Sequence, residues 1–353
     1  MVSVEYVVCV DVGAKVRSFA EQLGFDAVGF AAADVPLEEE YERYRAFVES
    51  GKHGTMEYLA ESGPVRQRLD TPDILRGARS VVVLARRYDR DDDANDSPLS
   101  QRIARYARGR DYHNVVRRKL RQLAAYLRRF GTTEEPVEAR PMCDDVPVLE
   151  RAWAARAGLG FIGKNGLLIV PGVGSMVLLG EVVTTLALPP GTPIGERCGS
   201  CTRCLEACPT AAFEAPFVLD PRACVSYWTI EHRGPIPEDV RPHIGSRLFG
   251  CDDCQTVCPF NAGKHRPAAQ TSSFEPHPRW AELSLRDLLD VERFPEIAQG
   301  SPVYRATAEG LARNAAVVMA NEGTDEEALE RAARTHPVEA VREIAVWARS
   351  RPR

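Results

Sequence analysis

Four cysteines and a proline stand close together in residues 195–210, GERCGSCTRCLEACPT. The cysteines follow the spacing C-x2-C-x2-C-x3-C, and the proline comes directly after the last of them: Cys198, Cys201, Cys204, Cys208 and Pro209. This is the spacing of the bacterial ferredoxin run, in which three thiolates bind one 4Fe–4S cluster and the fourth binds another cluster. The run therefore predicts a partner arm further along the chain.

A second arm stands at residues 250–260, GCDDCQTVCPF, and has the shorter spacing C-x2-C-x3-C-P. Cys224 is the only unassigned cysteine between the two arms. Four, one and three cysteines make eight thiolates, which is enough for two 4Fe–4S clusters. By the crossover rule, one cluster takes Cys198, Cys201, Cys204 and Cys258. The other cluster takes Cys208, Cys224, Cys251 and Cys254.

Structural zinc is the alternative for these thiolates. Zinc prefers paired C-x2-C knuckles around one tetrahedral ion, and a triple run with two Cys-Pro endings fits that pattern poorly. The two remaining cysteines, Cys9 and Cys143, are interpreted as ordinary buried thiols. The cysteine pattern therefore favours an iron–sulfur protein.

The composition is that of a globular protein that does not enter a membrane. The chain has 353 residues, 44% of them apolar and 27% charged, which is enough for two or three domains. No stretch of eighteen apolar residues exists, and the first apolar stretch carries Glu5 and Asp11 and lacks a basic start. We therefore expect a cytoplasmic protein, where reducing conditions keep cluster thiolates free.

A basic segment covers residues 102–129, which hold ten Arg or Lys and a single acid, Asp111. The net charge of the whole chain is −5, so this segment is a local exception. One interpretation is a basic face that binds nucleic-acid phosphates. The other is the solvated side of an amphipathic helix. The charges alone leave both interpretations open.

Alternating strands and helices predict a layered α/β domain at residues 1–190. The predicted helices are 13–24, 113–130 and 146–160, and the predicted strands are 27–33, 80–88, 137–143, 167–170 and 176–188, with the last two strands paired. A ferredoxin-type domain follows at 191–265, and short amphipathic helices at 266–353 predict a small HEAT-like domain. The expected class is α+β.

Two shorter stretches carry polar groups in unusual places. The glycine-rich residues 158–166, GLGFIGKNG, do not match a dinucleotide or phosphate loop, so they form either a tight turn or a loop around a large anionic cofactor. Asp144 and Asp145 lie between a predicted strand and a helix. They either cap that helix or provide a general acid, whose pKa an adjacent carboxyl would raise.

Five motifs in this order resemble those of the epoxyqueuosine reductases, the enzymes that complete queuosine formation in tRNA. They are RYARGRDYH (105–113), CDDVPVLERAWAARAGLGFIGKN (143–165), GSCTRCLEACPT (199–210), CVSYWTIE (224–231) and RLFGCDDCQTVCPFN (247–261). The resemblance covers residues 10–350. Reductive dehalogenases are similar relatives, which share a cobalamin domain fused to two clusters.

The resemblance implies a base-off cobalamin bound by the α/β domain beside the two clusters. The residues expected to contact it are Arg68, Lys164, Asn165, Ser226 and Asp252. Asp144 matches the proton-donating aspartate of the family, and Asp145 replaces the serine that usually follows it. The cobalamin motif D-x-H-x-x-G is absent, because no glycine follows Asp111 and His113 at the required distance, so a histidine ligand to cobalt is not expected.

The implied reaction is reduction of the epoxide of epoxyqueuosine at the wobble position of tRNA. Electrons would pass from an external low-potential donor through the clusters to cobalamin, in a monomeric enzyme. The anticodon stem-loop would be held by the basic segment and by C-terminal arginines, namely Arg331, Arg334, Arg342 and Arg349. The alternatives are a cobalamin-dependent reductase of a small molecule, similar to the reductive dehalogenases, and a pure electron-transfer module.

The cysteine pattern predicts the iron content. Two clusters require about eight irons per chain after anaerobic reconstitution. Cys224→Ser should damage one cluster and leave the other intact, which iron analysis and electron paramagnetic resonance would detect. A content of about four irons in the unaltered chain, or zinc in place of iron, would contradict the assignment.

Overall fold

The fold is described from a computed structural model that covers residues 4–61, 63–90, 96–262 and 274–350. Its main sheet has four strands, and each strand is antiparallel to its neighbouring strands. The strands are β1 (Ala27–Ala32), β2 (Ser80–Arg87), β3 (Ala139–Met142) and β6 (Val177–Thr184), in the order β1-β2-β6-β3. All residues of β2 are buried, because both faces of the sheet are covered.

Helices cover the two faces of this sheet. On one face, α1 (Val4–Gln22) and α5 (Tyr112–Arg128) pack on the sheet through side chains such as Val16 and Leu120. On the other face lie α3 (Gly63–Gln67) and α6 (Glu150–Arg156), with Trp153 fully buried. The helix α2 (Glu38–Glu49) precedes α3 and buries no residue. The predicted layered domain is therefore present.

The helix α5 confirms the predicted helix at 113–130. Its buried residues recur at helical spacing, and Asp111 caps its first turn by accepting a hydrogen bond from the His113 amide. Gly180 of β6 lets the helix approach, because a Cβ there would stand 2.8 Å from the Leu120 side chain. The helix thus runs across the sheet with its basic residues on the outer side.

Two expectations about the first domain are wrong. Residues 167–170 and 176–188 do not pair with each other: β5 (Leu168–Ile169) pairs with β4 (Phe161–Ile162), and β6 pairs with β2 and β3. The apolar run of 176–188 fits a strand buried between two others, and its spacing does not reveal its neighbours. The helix expected at 146–160 is shorter, because residues 143–149 form the loop before α6.

The cysteine-rich part consists of short elements joined by loops. The helices α7 (Arg203–Glu206) and α9 (Asp253–Thr256) each lie inside one cysteine arm and contact each other. A small hairpin of β7 (Phe213–Ala215) and β8 (Val218–Leu219) follows the first arm. A π-helical turn at Tyr227–Glu231 follows Cys224. Two four-residue helices, α4 (Pro98–Gln101) and α8 (Arg241–Ile244), precede the basic segment and the second arm.

The C-terminal part is helical and packs on the cysteine-rich part. It contains α10 (Arg279–Glu282), α11 (Phe294–Ala298), α12 (Thr307–Glu322), α13 (Glu326–Thr335) and α14 (Glu339–Ser350). Its core includes Ile103 and Phe249, and the fully buried Asn314 donates to the carbonyls of Thr229 and Leu248. One core therefore spans the predicted boundary at residue 265. The three domain ranges and the HEAT-like description stay predictions.

Within the described ranges, no helix has the length and apolar character needed to cross a bilayer. Residues 91–95 and 263–273 lie outside the described residues, as does the side chain of Cys9.

Two glycines provide a matched test of the packing. A Cβ at Gly29 of β1 would overlap the Leu159 side chain and the Ala157 carbonyl oxygen, whereas nothing lies within 4 Å of a Cβ at Gly195. Gly29→Ala should lower the free energy of unfolding by about 1–3 kcal/mol, because it overpacks the core. Gly195→Ala should leave it almost unchanged. Anaerobic denaturant unfolding of both variants checks this, and equal midpoints would contradict the packing of β1 on α6.

Candidate active site and cluster centre

The thiols of the two cysteine arms gather into two groups. The charges of Cys198, Cys201 and Cys204 interact with that of Cys258, and Cys224 interacts with Cys208, Cys251 and Cys254. All eight thiols are free and at least half-buried. Burial raises the pKa of Cys198 to about 11 and that of Cys251 to about 12, so iron must displace protons when it binds. The grouping fits two clusters with crossed ligands, and the individual ligand assignments stay predictions.

The glycine-rich stretch 158–166 forms a tight turn into the β4–β5 hairpin. Its two polar side chains reach the cysteine arms. Lys164 Nζ donates to the carbonyls of Gly199 at 2.6 Å and Cys201 at 3.1 Å, and Asn165 Nδ2 lies 3.5 Å from the Cys254 carbonyl. The turn therefore ties the α/β domain to both cluster loops.

The other expected cofactor contacts lie in two places. Ser226 borders Cys224 and hydrogen-bonds with its thiol, and Asp252 accepts a 2.8 Å hydrogen bond from the Arg105 amide. Arg68 is partly exposed and binds Asp70 at 2.5 Å within its own loop. The structure thus brings Lys164, Asn165, Ser226 and Asp252 to the cluster loops, while Arg68 is engaged elsewhere. Contact of these residues with a cofactor stays a prediction.

Asp144 lies in the loop between β3 and α6, with a left-handed backbone of φ 51°. Its carboxylate accepts a hydrogen bond from the Tyr112 hydroxyl, and His113 Nε2 lies 3.6 Å from it. The other ring nitrogen of His113 lies 2.7 Å from Asp111. The Asp144 side chain is 60% exposed. The surface that it forms with Tyr112 and His113 is called the cleft below.

The protonation state of Asp144 differs from the expectation for a general acid. Burial raises the pKa of this carboxyl, but the hydrogen bonds from His113 and Tyr112 outweigh burial and hold it below its usual range. Hydrogen bonds with Asp111, the larger cause, and with Asp144 raise the pKa of His113 to about 9. Asp145 does not act as the like charge, because it accepts from the Cys143 amide and pairs with Arg117 at 3.0 Å. These shifts favour the charged form of both groups, a carboxylate at Asp144 and an imidazolium at His113.

Four residues from distant segments complete the cleft. Arg305 pairs with Glu231 at 3.0 Å and lies over the Tyr58 ring at 5.2 Å, and both Arg305 and Tyr58 interact with the charge of Asp144. Burial raises the pKa of Tyr106, and the negative charges of Asp252 and Asp144 raise it further. The cleft is therefore bounded by the α/β domain, the second cysteine arm and the C-terminal part. The sequence motifs contain Tyr106 and Glu231 but carry no signal that these residues meet.

The basic segment 102–129 divides into paired and exposed residues. Arg102 binds Glu322 at 2.8 Å, Arg108 binds Asp96 at 2.9 Å, and Arg117 binds Asp145. Five arginines of the segment are exposed and form no ion pair with another described residue: Arg110, Arg118, Arg121, Arg128 and Arg129. At the C-terminal end, Arg334 binds Glu330 and Arg342 donates to the His336 carbonyl. Only part of the segment is thus available for an external anion.

Comparison with known proteins identifies two family models. One is described as a 4Fe-4S double cluster binding domain and matches residues 197–261. The other is described as "Epoxyqueuosine reductase QueG, DUF1730" and matches residues 68–145. The first model confirms a domain for two 4Fe–4S clusters. The second covers the whole basic segment and ends at Asp145.

Curated relatives match over nearly the whole chain. The epoxyqueuosine reductase of Pseudomonas aeruginosa is 40% identical over 343 residues, which are 95% of this chain and 92% of that protein. The Escherichia coli enzyme is 34% identical and covers 95% of this chain and 88% of its own. Among solved structures, an epoxyqueuosine reductase with an epoxyqueuosine-modified tRNA-Tyr stem loop superposes with a TM-score of 0.84 at 31% identity, over 96% of this chain and 89% of that one. The Bacillus subtilis enzyme with its catalytic loop swung out of the active site gives 0.83, at the same identity and coverage.

The raised pKa of His113 predicts a pH-dependent contribution to stability. The folded-state pKa of about 9 exceeds the ordinary value of 6.5, so the contribution is complete below about pH 6.5 and is lost as pH rises through about 9. The thermal midpoint of His113→Gln should therefore fall most below that of the unaltered protein at about pH 6, and least at about pH 9.5. His243→Gln, at an exposed histidine, is the control. A deficit that does not change with pH would show that His113 is not charged in the folded state.

Proposed function

The chain belongs to the epoxyqueuosine reductase family, and on this premise we propose that it reduces the epoxide of epoxyqueuosine in tRNA to queuosine, with Asp144 delivering a proton in the cleft. The observation that carries the proposal is the position of Asp144 in a cleft that also borders a cluster loop. An acid and an electron source are thereby brought to one substrate. The alternative, reduction of a small molecule, does not account for the exposed arginines of α5, which begins at this cleft.

The residues of the cleft fit a large cofactor such as cobalamin. Aromatic rings of Tyr58, Tyr106 and Tyr112 form its apolar walls, as a macrocycle requires. Polar groups stand nearby at the cluster loops, and Lys164, Asn165, Ser226 and Asp252 would hold the cofactor's amide edges, while Arg68 would have to leave Asp70 first. When bound, cobalamin supplies the low-valent cobalt chemistry that removes oxygen from carbon.

The chain's own residues manage the protons. Conversion of an epoxide to an alkene and water consumes two electrons and two protons. The first proton passes from His113, charged in the resting state, across 3.6 Å to the Asp144 carboxylate and from Asp144 to the leaving oxygen. The second proton follows the same path after His113 has taken up a proton from water. Asp111 stabilises the imidazolium at 2.7 Å. Tyr112 orients the carboxylate through its hydroxyl group.

The order of electron transfer is inferred from the positions of the two thiol groups. Asp252, next to Cys251, interacts with Tyr106 at the cleft. Cys208, Cys224, Cys251 and Cys254 would therefore hold the cluster that is nearer to the substrate. The loop 195–203, which carries Cys198 and Cys201, has mostly exposed residues. An external donor would therefore deliver electrons to the first cluster.

The tRNA would follow α5 away from the cleft. Tyr112 and His113 of its first turn contact Asp144, and the exposed Arg118, Arg121 and Arg129 continue along the same helix. A stem-loop whose modified base enters the cleft would thus place its phosphates along this basic side. The residues named for the cleft all belong to one chain, so we propose that a monomer is sufficient for the reaction.

The role of Asp144 is tested by matched asparagine variants. Asp144→Asn keeps the shape of the side chain but cannot transfer a proton, so single-turnover conversion of epoxyqueuosine in tRNA should fall about 100- to 10,000-fold. Clusters and tRNA affinity should persist. Asp145→Asn is the control, because it alters the neighbouring carboxyl only. If Asp145→Asn is inactive and Asp144→Asn is active, the roles are exchanged; if both are active, the proton comes from another group.

The tRNA path is tested by salt dependence. Affinity for an anticodon stem-loop should fall with salt, with a logarithmic slope of about −0.7 to −0.9 per phosphate contact. Reversing Arg118 and Arg121 to Glu together should make that slope shallower by about two such contacts. Arg43→Glu, on the exposed α2, is the matched control and should leave the slope unchanged. An unaltered slope in the double variant would mean that α5 is only a solvated helix.

A further inference from the structure

A pair of carboxyls, one buried and one half-buried, lies beneath the Asp144 loop. Glu181 stands in β6 between Val83 of β2 and Met142 of β3, and its side chain is 0% exposed. Neither of its carboxyl oxygens has a well-formed hydrogen bond with a group that the structure describes. An ionised carboxylate buried in this way costs several kcal/mol, so the side chain needs a reason to be there.

The neighbour of Glu181 is a second acid. Glu150 opens α6, which packs on β6, and its carboxyl group lies next to that of Glu181. Burial and the proximity of the two groups raise the pKa of Glu181 well above its usual range, and burial together with Asp144 raises that of Glu150. Two adjacent carboxyls, one of them fully buried, do not ionise together, so the pair retains a proton.

Glu150 also contacts the Asp144 backbone. The Asp144 amide donates to Glu150 Oε1 at 3.0 Å, and this amide belongs to the residue with φ 51°. Aspartate adopts the left-handed conformation more readily than most residues other than glycine, yet the conformation is still strained and needs support from its surroundings. A carboxylate acceptor makes a stronger hydrogen bond than a neutral one, which suits this purpose.

We propose that Glu150 is a positioning residue for Asp144: supported by a neutral Glu181 beneath it, its carboxylate fixes the Asp144 peptide and keeps the reactive carboxyl in the cleft. The proposal rests on the proposed function for its catalytic consequence, but the loop geometry is independent of it. The neutral Glu181 carboxyl carries the proton, and its hydroxyl group has the Glu150 carboxylate as the neighbouring acceptor. One proton therefore neutralises Glu181 and stabilises ionised Glu150. Protonation of Glu150 would weaken the bond to the Asp144 amide.

The other charged or titratable groups around the pair are few. Asp144, Asp145 and Cys143 face it from the loop, and Arg151 follows Glu150 on α6. Arg151 donates to the Gly166 carbonyl and attracts the ionised form of Glu150. Cys143 is fully buried, and burial raises its pKa, so it remains a neutral thiol. Ionisation of Glu150 is therefore opposed by the two aspartates and favoured by Arg151.

The first measurement is amide hydrogen exchange around Asp144 in the cluster-loaded protein without tRNA. Glu150→Ala removes the acceptor, and exchange of the Asp144 amide should rise about tenfold or more after correction for intrinsic rate. Glu135→Ala, at an exposed acid, is the matched control. Glu150→Gln, which retains a weaker acceptor, should give an intermediate rate and remains informative if Glu150→Ala does not fold. Equal exchange in Glu150→Gln and the control overturns the proposal.

The second measurement is the pH dependence of single-turnover conversion. In the pH–rate profile of the unaltered enzyme, ionisation of Glu150 should produce a limb over which the rate constant rises with pH. Glu150→Gln should lose this limb and lower the rate constant about tenfold, with the affinity for tRNA unchanged. Glu181→Gln donates a hydrogen bond but cannot ionise, so the rise in rate should occur at lower pH in this variant. Glu181→Leu donates no hydrogen bond, so the Asp144 amide should not be protected from exchange in it. If the rising limb of the pH–rate profile persists in Glu150→Gln, the proposal is also overturned.

The two measurements separate this inference from the proposed function. If the unaltered protein does not convert epoxyqueuosine, the proposed function fails while the exchange result still decides the role of Glu150. If conversion proceeds and Glu150→Gln behaves like the control Glu135→Ala in both exchange and pH profile, only the inference fails.

Discussion

The contact between the Asp144 carboxylate and the first turn of α5 determines how the cleft is organised. Tyr112 donates to this carboxylate and His113 lies 3.6 Å from it, so one short loop is joined to the start of one long helix. The contact sets the charge of both partners, because a carboxylate stabilises an imidazolium and the imidazolium stabilises the carboxylate. It also fixes where the basic side of α5 begins relative to the reactive group.

The sheet explains why this contact is possible. The strand β3 ends directly before Asp144, and α5 packs against β3 and β6. The absence of a side chain at Gly180 lets Leu120 approach the sheet, which brings the start of α5 to the level of the loop. The proposed acid, which stands on a loop, is therefore held between two rigid elements, which is a common solution for precise positioning.

The cysteine-rich and C-terminal parts contribute the remaining walls. Asn314 is fully buried, and its amide donates to two carbonyls of the cysteine-rich part, so the C-terminal helices cannot move without leaving buried polar groups unpaired. Arg305 and Glu231 reach the cleft from these two parts and bind each other. The cluster loops and the substrate cleft are thus connected by buried hydrogen bonds.

The sequence by itself determined the cluster chemistry, because ligand spacing within a few residues is a local property that neighbouring positions specify. It also predicted α5 and the buried strands, whose periodicity is local. Only the tertiary structure decided the pairing of β6, the engagement of Lys164 with the cluster loops and the role of Glu150. It alone decided the charge of Asp144 as well. A pKa depends on the sum of burial, hydrogen bonds and charges at short range, and those of Asp144 come from α5 and from Arg305, which are remote along the chain. The adjacent Asp145 suggested a like-charge pair, yet Arg117 and the Cys143 amide turn it away, because contact in space and not adjacency in sequence sets the interaction energy.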